Sequence, residues 1–298
     1  DQVHYSYVWI FDGNAGLQAD LTIDEFEALK VPLGKLALNA SSENYKDYVF
    51  DLGLKEGNID LDLTGNYIAS QNNSKLDLEL LINDLKMKAI EGFAQGEISN
   101  AKGNITGKAK LTGTTSDPIY NGTLNFNGVE MLVNQLNSIF KIDEQNLTFD
   151  NKGFRLDNFS IKDEDNNDFV LDGSILTEDF INPTFDLSLK ASNFKVLNST
   201  REDNDLFFGN VSLNTDITIK GNLEVPKIDG KLKIKEDSKF TVIVPESELD
   251  LNEREGVVIF VNRKNENEIL TRKEAHASPT EILDNLDINA LISVDKNS

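Results

Sequence analysis

Along most of the chain, apolar side chains fall on every second residue. In "NIDLDLTG", Ile59, Leu61 and Leu63 take one face while Asp60, Asp62 and Thr64 take the other. In "KLDLELLI", Leu76, Leu78, Leu80 and Ile82 repeat the pattern. It continues through Ile105, Ala109 and Leu111, then Leu124 and Phe126, then Leu147 and Phe149. Leu156 stands alone before Phe159 and Ile161, which follow in the other parity. Phe169, Leu171 and Ile175 come next, then Phe185, Leu187 and Leu189. Val211, Leu213, Ile217 and Ile219 form a further set, followed by Leu232 and Ile234 and by Phe240, Val242 and Val244. A period of two sends successive side chains to opposite faces of a strand, so each stretch predicts a half-buried β-strand. Roughly 20 such strands, about 8–12 residues apart, predict an all-β protein.

The connections favour antiparallel neighbours. "FDNKGF" (149–154) places Asn151 and Gly153 between two strands, a hairpin signal. "KDEDNNDF" (162–169) is a second polar reversal, and "EDFINPTF" a third, with Pro183 unable to donate to a ladder. No long helical period intervenes, which disfavours a parallel βαβ sheet. Two short helices are expected. "DLKMKAIEGFAQGEI" (84–98) carries Leu85, Ala89 and Phe93 at four-residue spacing. "SPTEILDNL" (278–286) has Ser278 as cap, Pro279 at the first helical position and Glu281 completing a capping box. The charged run before it, "NRKNENEILTRKEAHASP", reads as a mobile loop.

A strand with one apolar face must cover that face with another layer, close on itself, or hold an apolar ligand. Two packed sheets satisfy this, and so does one long sheet curled around an apolar groove. Glycines near strand ends, among them Gly103, Gly113, Gly173, Gly209 and Gly221, permit strong bending and suit either arrangement.

Composition narrows the partners. The chain has 298 residues with 39% hydrophobic, enough for a substantial core. Its longest apolar runs are short, such as "VVIFV" at 257–261, far below the ~18 residues that read as a membrane helix. The opening "DQVHYSYVWIF" has no basic start and no long apolar core, so it does not read as a signal peptide. The closing "LDINALISVDKNS" reads as a strand just begun, which favours a piece of something larger. The net charge of −22 opposes binding to nucleic acid and to anionic lipid headgroups. Cysteine is absent, and with it disulfides and thiolate chemistry.

Catalytic chemistry finds little support. His4 and His276 are far apart with no ligand spacing. Asp163, Asp165 and Asn167 begin like a calcium loop, but Asp168 stands where glycine is needed and Ser174 where glutamate is needed. The segment reads as a solvated hairpin tip. "GNITGKA" (103–109) has one residue too few between its glycines for a phosphate loop, and Ala109 replaces the hydroxyl residue. No feature selects a pair of carboxylates for glycosidase chemistry. The sequons at Asn104, Asn121 and Asn158 read as asparagine-rich composition. The stripe Val3, Tyr5, Tyr7, Trp9 and Phe11 reads as sheet packing, with sugar stacking as its functional alternative. No enzyme, no cofactor and no metal are expected.

One stretch carries more. "LFFGNVSLNTDITIKGNLEVPKIDGKLKI" (206–234) joins Phe208-Gly209, Ile219-Lys220-Gly221, Pro226 and Gly230, and "FTVIVPES" follows. Upstream, "GEISNAKGNITGKAKLTGTTSDPIYNGTLNF" (96–126) has the same cadence of glycine, strand, glycine, proline, glycine and strand. Downstream, "EGVVIFVNRKN" (255–265) fits as well. In this order the motifs resemble the C-terminal region of the TamB family of AsmA-like envelope proteins, in a Bacteroidetes-like form. The resemblance covers about 85 to 270 and the N-terminal part more loosely.

That resemblance implies an elongated, curled, antiparallel-type β-sheet, a β-taco groove with one or two short helices. It divides the chain into a β-groove segment at 1–84, a TamB-like groove segment at 85–262, and a loop, helix and further strand at 263–298. It implies a periplasmic bridge that carries phospholipid acyl chains between the inner and outer membranes of a Gram-negative cell. The partners implied are phospholipid, an outer-membrane barrel protein of the TamA type, and the inner membrane through an anchor outside this chain. The alternative is a scaffold or chaperone for outer-membrane or surface proteins that pairs with client strands. The alternating residues named above from Ile59 to Ile234, apart from Ile82, Ala109, Leu156, Phe159 and Ile161, become the expected groove lining. About 20 strands at roughly 4.8 Å each predict a groove about 100 Å long.

Overall fold

A computed structural model of the chain describes residues 3–10, 16–44, 46–179, 181–204, 206–243 and 287–294. Among these residues, 17 strands join one curled sheet. The first six are β1 (Val3–Ile10), β2 (Gly16–Ala28), β3 (Val31–Ser42), β4 (Asp47–Lys55), β5 (Ile59–Ile68) and β6 (Lys75–Lys86). A short helix, α1 (Met87–Phe93), precedes β7 (Ile98–Thr114) and β8 (Pro118–Val133). Then come β9 (Ser138–Ile142), β10 (Gln145–Asp150), β11 (Gly153–Lys162), β12 (Asp168–Leu176) and β13 (Thr184–Ser199). The chain continues with β14 (Phe207–Asn222), β15 (Pro226–Ile234), β16 (Lys239–Val242) and β17 (Asp287–Val294). The expected helix at 278–286 and the apolar run "VVIFV" lie outside the described residues, as does Val244.

From β1 to β8 each strand pairs antiparallel with the next in sequence. The far edge of β8 is shared by β10 along residues 121–126 and by β9 along 129–133. Those two are therefore halves of one interrupted strand position. The edge of β14 is shared in the same way by β15 and β16. Antiparallel pairing runs on from β10 to β15. The exception is β17, which lies parallel to β15. Short hairpins explain the rest: Asp150 and Gly153 face each other across a two-residue turn, and Asn151 stitches that turn to β8 through Tyr120 N–H (2.7 Å) and Pro118 O (2.6 Å).

Three strands bend where an asparagine, not a glycine, adopts a left-handed backbone. Asn100 in β7 (φ 53°), Asn158 in β11 (φ 48°) and Asn193 in β13 (φ 55°) each sit at a register shift. Asparagine tolerates this conformation better than other residues with a Cβ. One extra residue on the bulged strand resets the alternation. This accounts for Leu156 and Phe159 having opposite parity while pairing with Gly173 and Leu171, which share a parity on β12. Bending was expected from glycines alone, and asparagine carries part of it.

The predicted helix is shorter than its sequence pattern. Residues 84–86 belong to β6 and residue 98 opens β7, because the ladder competes successfully for both ends. No side chain caps its N-terminus, so tertiary packing, not capping, supports it. At its C-terminus Gln95 turns left-handed (φ 50°) and the Ala94 N–H closes on Ile90 O at 2.9 Å.

Candidate functional site

Residues opposite each other on paired strands share a face of the sheet, so the registers trace continuous rows across it. One row starts at Leu21 and passes through Leu38, Leu52, Leu63, Leu80 and Ala109. It continues through Gly122, Phe149, Phe154, Ile175 and Phe185 to Gly221 and Pro226. No polar side chain interrupts it between β2 and β15. At about 4.8 Å per strand it runs about 60 Å. At the backbone level Tyr5 of β1 pairs with its first member.

The other expected lining residues fall on the same face. Ile59 pairs with Leu85, which leads to Ile105 and Phe126. Leu61 leads through Ile82 and Gly107 to Leu124 and Leu147. Leu78 pairs with Leu111, and Leu76 lies between Tyr67 and Gly113. Beyond the bulge, Leu171 leads to Leu189 and Ile217, and Leu187 to Ile219 and Ile228. Leu213 pairs with Phe194 and Ile234, and Val211 with Leu197. Two rows carry a buried polar member: Thr215 in the row from Phe169 to Leu232, and Ser42 in the row that reaches Leu76 through Tyr48 and Tyr67.

The opposite face is polar. Its neighbouring row runs Asp62, Leu81, Lys108, Thr123, Thr148 and Arg155. Leu81 is half-exposed there at 49%. This face holds a cleft of about 680 Å³ between β5 and β11, lined by Asp62, Glu79, Lys108, Lys110, Asp150 and Arg155. Arg155 pairs with Asp150 at 3.1 Å, and Lys110 lies 3.4 Å from Glu79. Nothing in the alternation pattern foretold this cleft. Nearby, Lys55 bonds Asp60 at 2.6 Å and Asp62 at 2.7 Å, and Asn83 donates to both carboxylates. Those hydrogen bonds, from Lys55 first and Asn83 second, hold both carboxyls below the usual carboxylate range.

Burial divides the apolar face. The helix α1 lies on it. Ala89 is fully buried with Val31, Leu33 and Leu54, and Leu36 and Leu61 pack against this group. Met87 forms a second cluster with Val129, Ile142 and Phe159, bordered by Ile105, Phe126 and Leu171. Near β9 the Phe140 and Phe194 rings stack at 5.8 Å, close to buried Leu197 and Val211. The row from Leu21 to Pro226, by contrast, is half-buried at every position from β2 to β15.

The acidic hairpin tip has a structural explanation. Asp163 is 1% exposed and is the centre of the turn. Its Oδ1 accepts the N–H groups of Asp165 (2.9 Å) and Asn167 (2.8 Å). Its Oδ2 accepts the Asn167 amide (2.9 Å) and the Lys195 N–H (2.8 Å). Lys195 Nζ closes on Glu164 at 2.6 Å and Asp165 at 2.7 Å, and these hydrogen bonds, Asp165 foremost, raise its pKa. The carboxylate that would head a calcium loop is thus occupied by donors from its own turn and from β13. No group of three or more His, Cys, Asp or Glu side chains among the described residues is placed to hold a metal.

Residues 157–298 match the family model described as the TamB C-terminal domain. This C-terminal part of the chain is a TamB C-terminal domain. The match begins inside β11, one residue before the Asn158 bulge, and takes in the apolar face from β12 to β17. No curated protein and no solved structure matches the chain. That domain supports a TamB-family role in envelope assembly or lipid transport.

Proposed function

We propose that this chain is a non-catalytic, periplasmic segment of a TamB-type lipid conduit. In this reading phospholipid acyl chains ride on the apolar face while headgroups stay in water, and the protein spans from an inner-membrane anchor towards an outer-membrane barrel of the TamA type. The observation that supports it most is the uninterrupted apolar row from Leu21 to Pro226. Each acyl CH₂ taken out of water onto such a surface contributes about 0.8 kcal/mol. The surface offers no directional bonds, so neighbouring positions along the row are close to equivalent and a chain can slide. A row is suited to transit, where a closed pocket would favour one resting place.

Native mass spectrometry of the chain purified from membrane-containing cells tests this. Phospholipid adducts are expected, and they should be lost in I217E/I219E, with strand content checked by circular dichroism. Lipid-free wild-type protein would contradict the conduit. Crosslinks to client strands with no effect of I217E/I219E would favour the scaffold reading.

A further inference from the structure

Adjacent apolar positions on the same strand and face differ in what they pack against. On β3, Leu36 packs against the core that contains Ala89, and Leu38 does not. On β4, Leu54 is 5% exposed within that core, whereas Leu52 is outside it and half-buried. On β5, Leu61 belongs with the core and Leu63 does not. From β3 to β5 the apolar face is therefore split lengthwise into a strip beneath α1 and a strip beside it. The boundary between them is only one strand repeat wide, about 7 Å along the strand.

We infer that α1 is a fixed partition, which confines lipid passing this part of the sheet to the strip of Leu38, Leu52, Leu63 and Leu80. This rests on the conduit reading above. The helix is held from several sides. Glu91 accepts the Ala101 N–H at 2.8 Å, and Lys86 donates to Gly57 O at 2.8 Å just before the helix. Gly92 lies against Val31, so closely that a Cβ on it would fall 2.6 Å from Val31 Cγ2. Ala89 has no exposed surface at all. A helix docked by its smallest residues, with both flanks in buried clusters, is a wall and not a lid: displacing it would uncover Ala89, Met87, Val31 and Leu54 together.

Site-specific photo-crosslinking in the full chain tests the partition. A photoreactive phenylalanine analogue placed at position 63 should capture phospholipid, and the same residue at position 61 should not. Trimming the wall with M87A/I90A/F93A should extend capture to position 61. A second arm locks the helix. The position of a Cβ on Gly92 is 3.5 Å from Val31 Cβ, within the ~3.5–4.5 Å that a disulfide spans, and the chain has no other cysteine. Oxidised V31C/G92C should capture lipid at position 63 as well as the reduced form does. Equal capture at 61 and 63 in the wild type would overturn the partition alone. Loss of capture at 63 on oxidation, restored by reductant, would overturn it in favour of a moving gate. No capture at either position would overturn the conduit reading and the partition with it.

Discussion

Replacing Asp163 removes the acceptor for four donors at once, and the two obvious substitutions separate them. In D163A the N–H groups of Asp165, Asn167 and Lys195 and the Asn167 amide all lose their partner. Asp165 is exposed, so its N–H can turn to water, and the Asn167 amide can rotate. The donors nearest the buried carboxylate remain. Hydrogen bonds to a charged group contribute about 1.5–3 kcal/mol each, so two uncompensated donors place D163A at about 3–6 kcal/mol. In D163N the oxygen that accepts both turn N–H groups is retained. The new amide nitrogen then meets the Lys195 N–H donor to donor, and the cost is about 1–3 kcal/mol. Each strand of such a sheet touches mainly its neighbours, so opening is local before it is global and a single unfolding midpoint would blur the effect. Native-state hydrogen exchange at the Asn167 and Lys195 amides is the suitable assay. Protection there should fall most in D163A and less in D163N, with β2 to β5 unaffected. Equal losses in the two variants, or D163A within about 1 kcal/mol of wild type, would refute the assignment of Asp163 as the acceptor that ties the β11–β12 turn to β13.

Three further outcomes follow from local geometry. Gly173 has φ +124° and a Cβ there would collide with the backbone O of Asp186, so G173A should cost about 1–3 kcal/mol from backbone strain, plus the clash, read as lost protection between β12 and β13. Asn158 holds a left-handed backbone (φ 48°) at the bulge, so N158V, which keeps the residue count but disfavours that conformation, should cost about 1–3 kcal/mol and raise dye binding around Phe159, whereas N158G should behave as wild type. Deleting Asn158 leaves Leu156 and Phe159 two positions apart and on one face, so that variant should not raise dye binding. Asp60 and Asp62 have depressed pKa values in the fold, so their contribution is present above the ordinary carboxylate value of about 3.9 and is lost only as pH falls through the depressed values. Protection of β5 and β6 should therefore hold from pH 7 to 5 and decline below about 4, and K55M should move the onset to higher pH; an onset unchanged by K55M would contradict the pairing.

The alternation of Leu76, Leu78, Leu80 and Ile82 was enough to assign both a strand and its apolar face, because a period of two leaves no other arrangement in water. The same holds for Val211 to Ile219. The parity change between Leu156 and Phe159 was visible too, though not its cause: a left-handed asparagine is one residue among many asparagines and has no periodic signature. What could not be read was relative cover. Leu61 and Leu63 are the same residue type, equally half-buried and two positions apart, yet only Leu61 packs against the buried group that contains Ala89 of α1. The spacing of Leu85, Ala89 and Phe93 foretold a helix but not its place on the sheet. The parallel pairing of β17 with β15 depends on long-range topology, which strand alternation does not encode. The polar cleft between β5 and β11 arises from the curvature of the sheet, and no single strand specifies it.

The central claim is that the apolar face, and not the polar one, contacts lipid along its length. A phospholipid with a diazirine on its acyl chain, loaded into the purified full chain and photolysed, tests this without choosing positions in advance. Peptide mass spectrometry should find the label on the row from Leu38 through Leu63, Leu80 and Phe149 to Phe185. Label confined to the polar cleft around Lys108 and Arg155, or scattered equally over both faces, would contradict the account.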